Sequence, residues 1–420
     1  MTINSLNKPR SSIRKQAIWG LSSQLITSGT NFISAILLVR MLGLEEFGQY
    51  TLTFLTIMIV RNFLNTMVLA PMSALAPKLN KISEPAYRSF ILIYATAFFL
   101  ISSLAIGLLA SLLSSLNGYE WLTSITITLA VTNALTNASD FFRRYYVVYQ
   151  SPGFSFFIDL TRNTTQLFAI TIYLLLPSNP MNVAIALNLL AFSNLFGVIL
   201  GTIRYGTLKH KRQFFKLMWM RHWKFSKWML PATALDSLHG SGPMMIFGAI
   251  MGPSALGTVR AIQQVTNLLN LPVNTLSQIL PSIAARQLFE HGEHKLKVFL
   301  LKVAIASTAL IIVGILTLAS LSELIINNWM KLESPNTKII LIFFGASTLL
   351  SLIRQIMNVK LYTFEQTKSI FHINIFGAML SIFSTFALAE LLIEISVPIA
   401  LTIGNLSSIS AFLYFNRKKN

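Results

Sequence analysis

Five arginines stand inside otherwise apolar stretches: Arg40, Arg61, Arg162, Arg260 and Arg354. A guanidinium at mid-bilayer depth costs about 2.5–3.5 kcal/mol on insertion scales, so such side chains need wet or charged surroundings. Arginine also presents a planar fork that grips a phosphate or carboxylate through two parallel hydrogen bonds, which lysine does not. Arg40 lies at the end of its stretch, within snorkelling distance of the interface. Arg61 and Arg354 have no carboxylate three or four residues away to neutralise them. Arg260 falls on one helical face with Gln264, Asn267 and Asn274, and Ser347, Ser351, Arg354 and Asn358 fall on another. Arg162 follows Asp159 by three residues, a spacing at which the pair neutralises itself, and Asn163 and Gln166 extend that face. Asp140 stands in the same relation to Arg143 and Arg144. The candidate contacts for an anionic substrate are therefore Arg61, Arg354, Arg260 and Arg162, with Asn65 and Asn274 beside them.

A second constellation is the run Asp236-Ser237-Leu238-His239-Gly240-Ser241-Gly242-Pro243. Gly240, Gly242 and Pro243 predict a broken or bent helix, whose freed backbone groups require a polar lining. Asp236 sits near the middle of this stretch, and His239 follows within one turn. Two readings stay open for it. A carboxylate beside a hinge suits proton coupling, and the same carboxylate suits a plain salt bridge to one of the arginines.

Cysteine is absent, and the six histidines show no His-x-x-x-His spacing. That removes disulfides and thiolate metal sites. No cofactor is expected, and a proton or a sodium ion remains as a coupling species.

The elements that hold these residues follow from composition. Of 420 residues, 54% are hydrophobic and only 11% are charged, whereas a water-soluble surface needs roughly 25–35% charged side chains. A soluble globule is excluded. At about 20 residues per span, the apolar stretches read as twelve helices, at 17–40, 48–76, 89–115, 121–146, 153–176, 182–203, 226–250, 256–284, 300–326, 338–361, 369–391 and 396–415. Membrane strands would instead show ten-residue alternating segments. The fold class is all-α and polytopic.

The net charge of +19 is a record of topology rather than a signal for nucleic acid. With both termini in the cytoplasm, the inner segments hold 26 of the 33 lysines and arginines, and the outer loops hold only Lys331 and Lys338. The segment 206–225 is the most basic connection, a cytoplasmic linker between a lobe at 1–205 (spans 1–6) and a lobe at 226–420 (spans 7–12). Its run Lys209, Lys211, Arg212, Lys216, Arg221 also suits contact with anionic lipid.

The two lobes resemble each other. A shift of 209 residues without a gap aligns Lys15 with Lys224, Trp19 with Trp228, Ser28 with Ser237, Gly43 with Gly252, Gly48 with Gly257, Asn65 with Asn274 and Thr66 with Thr275. Both halves start on the inner side, so they are parallel repeats about an axis along the membrane normal, the arrangement of alternating-access transporters.

The basic start, the polar-flecked first helix and the run Leu38-Val39-Arg40-Met41-Leu42-Gly43-Leu44-Glu45-Glu46-Phe47-Gly48-Gln49-Tyr50 resemble the polysaccharide transporter family. These are the O-antigen-type flippases of the multidrug/oligosaccharidyl-lipid/polysaccharide exporter superfamily. The second half, Gly252-Pro253-Ser254-Ala255-Leu256-Gly257, keeps the glycines and lacks the acids. The resemblance implies two six-helix lobes around a central cationic cavity, lined by spans 1, 2, 7 and 8. It implies a bacterial inner-membrane protein whose cargo is a lipid-linked oligosaccharide on polyprenyl pyrophosphate, with membrane lipids and polysaccharide assembly proteins as partners.

Two other functions compete. A drug or cation antiporter of the same superfamily would need anionic groups in its cavity, and five arginines oppose one central carboxylate. A membrane polymerase or glycosyltransferase would need catalytic groups on a sizeable outer loop. The outer loops are nearly all under about ten residues and contain no Asp-x-Asp or Ser/His/Asp set. A non-enzymatic flippase is the expectation.

Overall fold

The computed structural model describes residues 13–417 apart from 81, 150, 176–179, 207, 209–211, 228, 332–335 and 365–366. Lys8, Arg10, Lys81, Lys209, Lys211, Trp228, Lys418 and Lys419, which entered the charge count or the repeat, lie outside the described residues. Among the described residues the secondary structure is helical throughout, with no strand.

Among the described residues twelve α-helices run in chain order: α1 (Ile13–Leu64), α2 (Ala70–Leu75), α3 (Glu84–Leu113), α4 (Leu122–Val148), α5 (Pro152–Leu175), α6 (Val183–Ile203), α7 (Arg212–Ser226), α8 (Met229–Thr266), α9 (Asn270–Ser322), α10 (Thr337–Thr363), α11 (Thr367–Leu392) and α12 (Ser396–Arg417). They do not map one-to-one onto the predicted spans. α1 joins the first two spans across a non-helical Gly43, α8 joins the seventh and eighth across Gly252, and α9 turns at Gly292 between the eighth and ninth. A π-helical turn, Asn65–Leu69, interrupts the second span, and a 3₁₀ turn, Asn267–Leu269, interrupts the eighth.

Among the described residues seven helical stretches are long and apolar enough to cross a membrane. One of them, Ile18–Leu75, has 58 residues, about 87 Å of helix at 1.5 Å per residue, so a single ~30 Å crossing leaves most of it over. α4 and α5 have spanning length too, but each spends one face on polar side chains: Asn133, Asn137 and Asp140 on α4, and Asp159, Asn163 and Gln166 on α5, all buried. The apolar exposure is of the opposite kind. Leu100, Ile101, Leu104, Leu108 and Leu112 on α3, and Leu301, Ile305, Val313 and Leu316 on α9, are all exposed. Bands of this size suit lipid rather than water. The chain is a multi-pass membrane protein.

Two compact units can be distinguished. One comprises Met1–Thr30, Phe63–Pro177 and Ala184–Lys227, and the other Asn31–Asn62, Ser178–Val183 and Trp228–Asn420. The first is centred on an aromatic core that includes Tyr87, Phe90, Phe141 and Tyr145. In the second, α9 packs on α10 through Leu280, Ala284, Leu352 and Ile356, and α11 packs on α12 and α8. Hydroxyls are tolerated in these helices because they bond back to their own backbone, as Thr132 does to Thr128 and Thr385 to Ser381.

The repeat is written into the backbone. Gly43 has φ 72°, ψ 177° and Gly252 has φ 84°, ψ 169°, a region essentially reserved for glycine. Five residues on, Gly48 lies against the carbonyl oxygen of Pro253 and Gly257 against that of Leu44, each so close that a methyl group would overlap it. Leu44 and Pro253 are themselves 209 residues apart, so the contact is reciprocal, as a two-fold axis requires.

Candidate functional site

The second unit contains a polar cavity of about 210 Å³ between α8, α10 and α12. α8 supplies His239, Gly240, Gln263 and Thr266, and the turn and start of α9 supply Asn267 and Asn270. α10 supplies Ser347, Thr348, Ser351 and Arg354 at helical spacing, and Asn405 comes from α12. The wall consists mainly of hydroxyls and amides, with the His239 imidazole and the apolar Phe344 and Leu401, around one guanidinium.

Three helices are tied together at this wall. His239 Nε2 lies 3.2 Å from Asn405 Oδ1, and Asn405 Nδ2 donates to the Ser347 carbonyl and hydroxyl at 3.2 and 3.3 Å. An amide oxygen only accepts, so Nε2 of His239 is the donor. Arg354 is held from two sides. Its Nη1 lies 3.5 Å from Asp236 Oδ1 and donates to Asn374 Oδ1 of α11 at 3.5 Å. The partners differ in burial: the Arg354 side chain is 15% exposed and that of Asp236 60%. The salt-bridge reading of Asp236 has its geometry here. Next to Asp236, Ser237 accepts from Asn62 Nδ2 at 3.1 Å.

Of the broken or bent helix expected at Gly240–Pro243, the break is not found. Helical geometry runs through Asp236–Pro243 and departs only at Gly252. Pro243 cannot donate to the carbonyl of His239 four residues back, and a membrane helix absorbs that single loss where polar side chains are at hand. Gly240 lines the cavity, whereas Gly242 and Pro243 are buried in packing.

The polar face predicted for the eighth span is also rotated. The cavity receives Gln263, Thr266, Asn267 and Asn270 rather than Arg260, Gln264 and Asn274. Arg260 is buried, stacks over the Phe54 ring at 5.8 Å and hydrogen-bonds Gln263, while the oxygen of Gln264, in the orientation that satisfies its neighbours, accepts from Arg260 Nε and Nη2 at 3.2 Å. Beyond it, each of the three residues of the 3₁₀ turn adds about 20° to the helical advance, and Asn274 emerges exposed.

The other candidates lie elsewhere. Arg61 is partly buried, with Nη1 3.8 Å from the Met58 sulfur, and Asn65 is exposed at the start of the π-helical turn. Arg162 is in the first unit, between Asp140 at 3.2 Å and Asp159 at 3.4 Å, and Arg143 approaches the same carboxylates at 3.6 and 3.8 Å. Ser23 hydrogen-bonds Asp159, and Asn163 donates to Thr27 at 3.2 Å. Two arginines thus face two buried carboxylates, and the charges balance.

Asn405 and Asn374 were missed by the sequence reading. Their one signal is an amide within an apolar helix, Asn405 directly after Gly404. Among the described residues no three of His, Asp and Glu converge as a metal-binding group would require.

Comparison with known proteins follows the same lines. Residues 13–287 match the model of a family described as polysaccharide biosynthesis protein. No curated protein matches the sequence. Several solved structures share the fold. An inward-facing multidrug resistance MATE family transporter of the MOP superfamily superposes with TM-score 0.71 at 14% identity, covering 96% of this chain and 94% of that one. The lipid II flippase MurJ in an inward closed conformation gives TM-score 0.71 at 10% identity, covering 96% and 87%. A MOP superfamily transporter from Pyrococcus furiosus, described as having a binding pocket of reverse polarity, gives 0.67 at 14%, covering 96% and 94%. At these identities the likeness is one of fold, that of two-lobed MOP transporters.

Proposed function

The chain belongs to the polysaccharide biosynthesis protein family, and on that premise we propose that it is a flippase carrying a lipid-linked oligosaccharide across the bacterial cytoplasmic membrane by alternating access. Both termini are cytoplasmic in this reading. The observation that carries it is the placement of Arg354 in a wall of hydroxyls and amides. Sugars are recognised through hydroxyl and amide groups, and a pyrophosphate linkage through arginine. A cavity of about 210 Å³ is below the ~300 Å³ of ordinary ligand pockets, so it suits one part of a long ligand, its phosphate-proximal end.

Asp236 gives this site a reversible guard. Without cargo it balances Arg354, and because it is mostly exposed the pairing is weak and screened. An incoming pyrophosphate, with more charge and a bidentate fit, displaces it. Protonation of Asp236 would release Arg354 in the same way, which is how a proton gradient would couple to the cycle. The cation antiporter and polymerase readings fit less well, since among the described residues the cavity's one charged lining group is cationic and no carboxylate pair lines it.

The test is genetic and chemical together. A deletion strain should lose surface polysaccharide and accumulate its lipid-linked repeat unit on the cytoplasmic side, and the wild-type gene should reverse both. Accumulation of an unpolymerised repeat unit on the outer side would favour a polymerase instead.

A further inference from the structure

We propose that α7 is a docking face for an anionic lipid leaflet. The helix lies in the segment read from sequence as the linker between lobes, and it is built as two unlike surfaces. Met218, His222 and Ser226, at i, i+4 and i+8, are fully buried against the first unit. His222 Nε2 lies 2.9 Å from the Tyr87 hydroxyl and Nδ1 lies 3.4 Å from the Met67 carbonyl, while Ser226 donates to the Thr66 carbonyl at 2.9 Å. Since a carbonyl only accepts, Nδ1–H donates to Met67 and Nε2 accepts from Tyr87. The anchorage falls on the π-helical turn Asn65–Leu69, Phe215 and Trp219 meet the rings of Phe90 and Tyr94 edge-on at 4.9 and 5.1 Å, and the opposite surface of α7 is exposed.

That outer surface carries Lys216, Trp219, Met220 and Trp223 on one arc and Arg221, Lys224 and Phe225 on the other, all exposed. α7 contains no acidic residue. Exposed indoles next to lysines and arginines, on a helix connecting two membrane-crossing helices, are what the headgroup layer accommodates: rings at the interfacial level and cations against anionic headgroups. Charge complementarity therefore selects a lipid surface as the occupant. Each basic residue near such a surface is worth about 1 kcal/mol, so three give roughly a hundredfold preference for an anionic over a neutral bilayer.

The chain has no native cysteine, so a spin label on Met220→Cys reports one position in the full-length protein. In liposomes of phosphatidylcholine with phosphatidylglycerol, the label should be accessible to oxygen and shielded from a water-soluble nickel chelate. In phosphatidylcholine alone, or at high salt, it should become water-accessible, and Lys216→Gln/Arg221→Gln/Lys224→Gln should do the same in the anionic liposomes. Equal shielding in neutral and anionic bilayers overturns the proposal, as does shielding that survives the triple substitution. The lipid and salt arms retain the native charges, so they decide the matter if the triple variant fails to fold. None of the arms measures transport, and all stand apart from the flippase reading.

Discussion

Gly48 and Gly257 each press on the backbone carbonyl of the residue four places before the other, Gly48 on Pro253 and Gly257 on Leu44. Such a crossing leaves no room for a side chain, because backbone atoms cannot rotate aside. Gly48→Ala and Gly257→Ala should each destabilise the protein by about 1–3 kcal/mol, the usual cost of overpacking. Gly29 is helical, and a methyl group there would meet nothing within 4 Å, so Gly29→Ala should be neutral or stabilising by up to ~1 kcal/mol. Thermal unfolding of the three variants in detergent gives the comparison, and equal melting temperatures would refute the close contact.

Arg354 is the predicted anchor of cargo. Arg354→Ala should lower transport about thirtyfold or more, as removal of a buried charged contact typically costs about 2 kcal/mol and upward. Arg354→Lys should recover part of it, having the charge without the fork. Export assayed at matched membrane abundance checks both.

Asp236 separates coupling from simple pairing. Asp236→Asn removes the titration and keeps hydrogen bonding, so gradient-driven transport should fall while binding of a pyrophosphate-linked sugar persists or tightens. A variant that responds to a pH gradient as fully as the parent would remove Asp236 from coupling.

His222 predicts a pH dependence. Burial pushes its pKa from 6.5 down to about 4, so the anchored state holds it neutral. The unfolded chain binds a proton below about 6.5 and the native state only below about 4, so stability falls as pH drops through that window and is complete above it. Unfolding followed from about pH 7 to about pH 4 should show this loss, and His222→Gln should flatten the profile. The same slope in both proteins would assign it to another group.

Much of the architecture was legible because it depends on residue type at a fixed offset. Gly43 and Gly252 mark the turns since only glycine occupies their backbone region without strain, and the helical spacing of Ser347, Ser351 and Arg354 placed them on one wall. What escaped depends on phase and on partners distant in sequence. Extrapolating regular helix from Arg260 carried Asn274 onto a face that the 3₁₀ turn at Asn267–Leu269 takes away from it. The glycines and proline of Gly240–Pro243 predict a broken or bent helix, and helical φ/ψ run through them without a break. Asn405 and Asn374 matter only because α12 and α11 bring them to His239 and Arg354. The basic run of the linker reads from sequence as topology and as a contact for anionic lipid, but the helix itself escaped, although its buried stripe Met218, His222 and Ser226 was the helical signal.

The most direct measurement is translocation by the purified protein in proteoliposomes, using a lipid-linked oligosaccharide with a pyrophosphate bridge and an outside-only sugar-modifying enzyme as the readout. The account predicts that wild-type protein makes the inner-leaflet pool accessible and that Arg354→Ala protein, reconstituted at the same density, does not. Equal accessibility with Arg354→Ala, or movement of organic cations with no movement of the lipid-linked sugar, would contradict it.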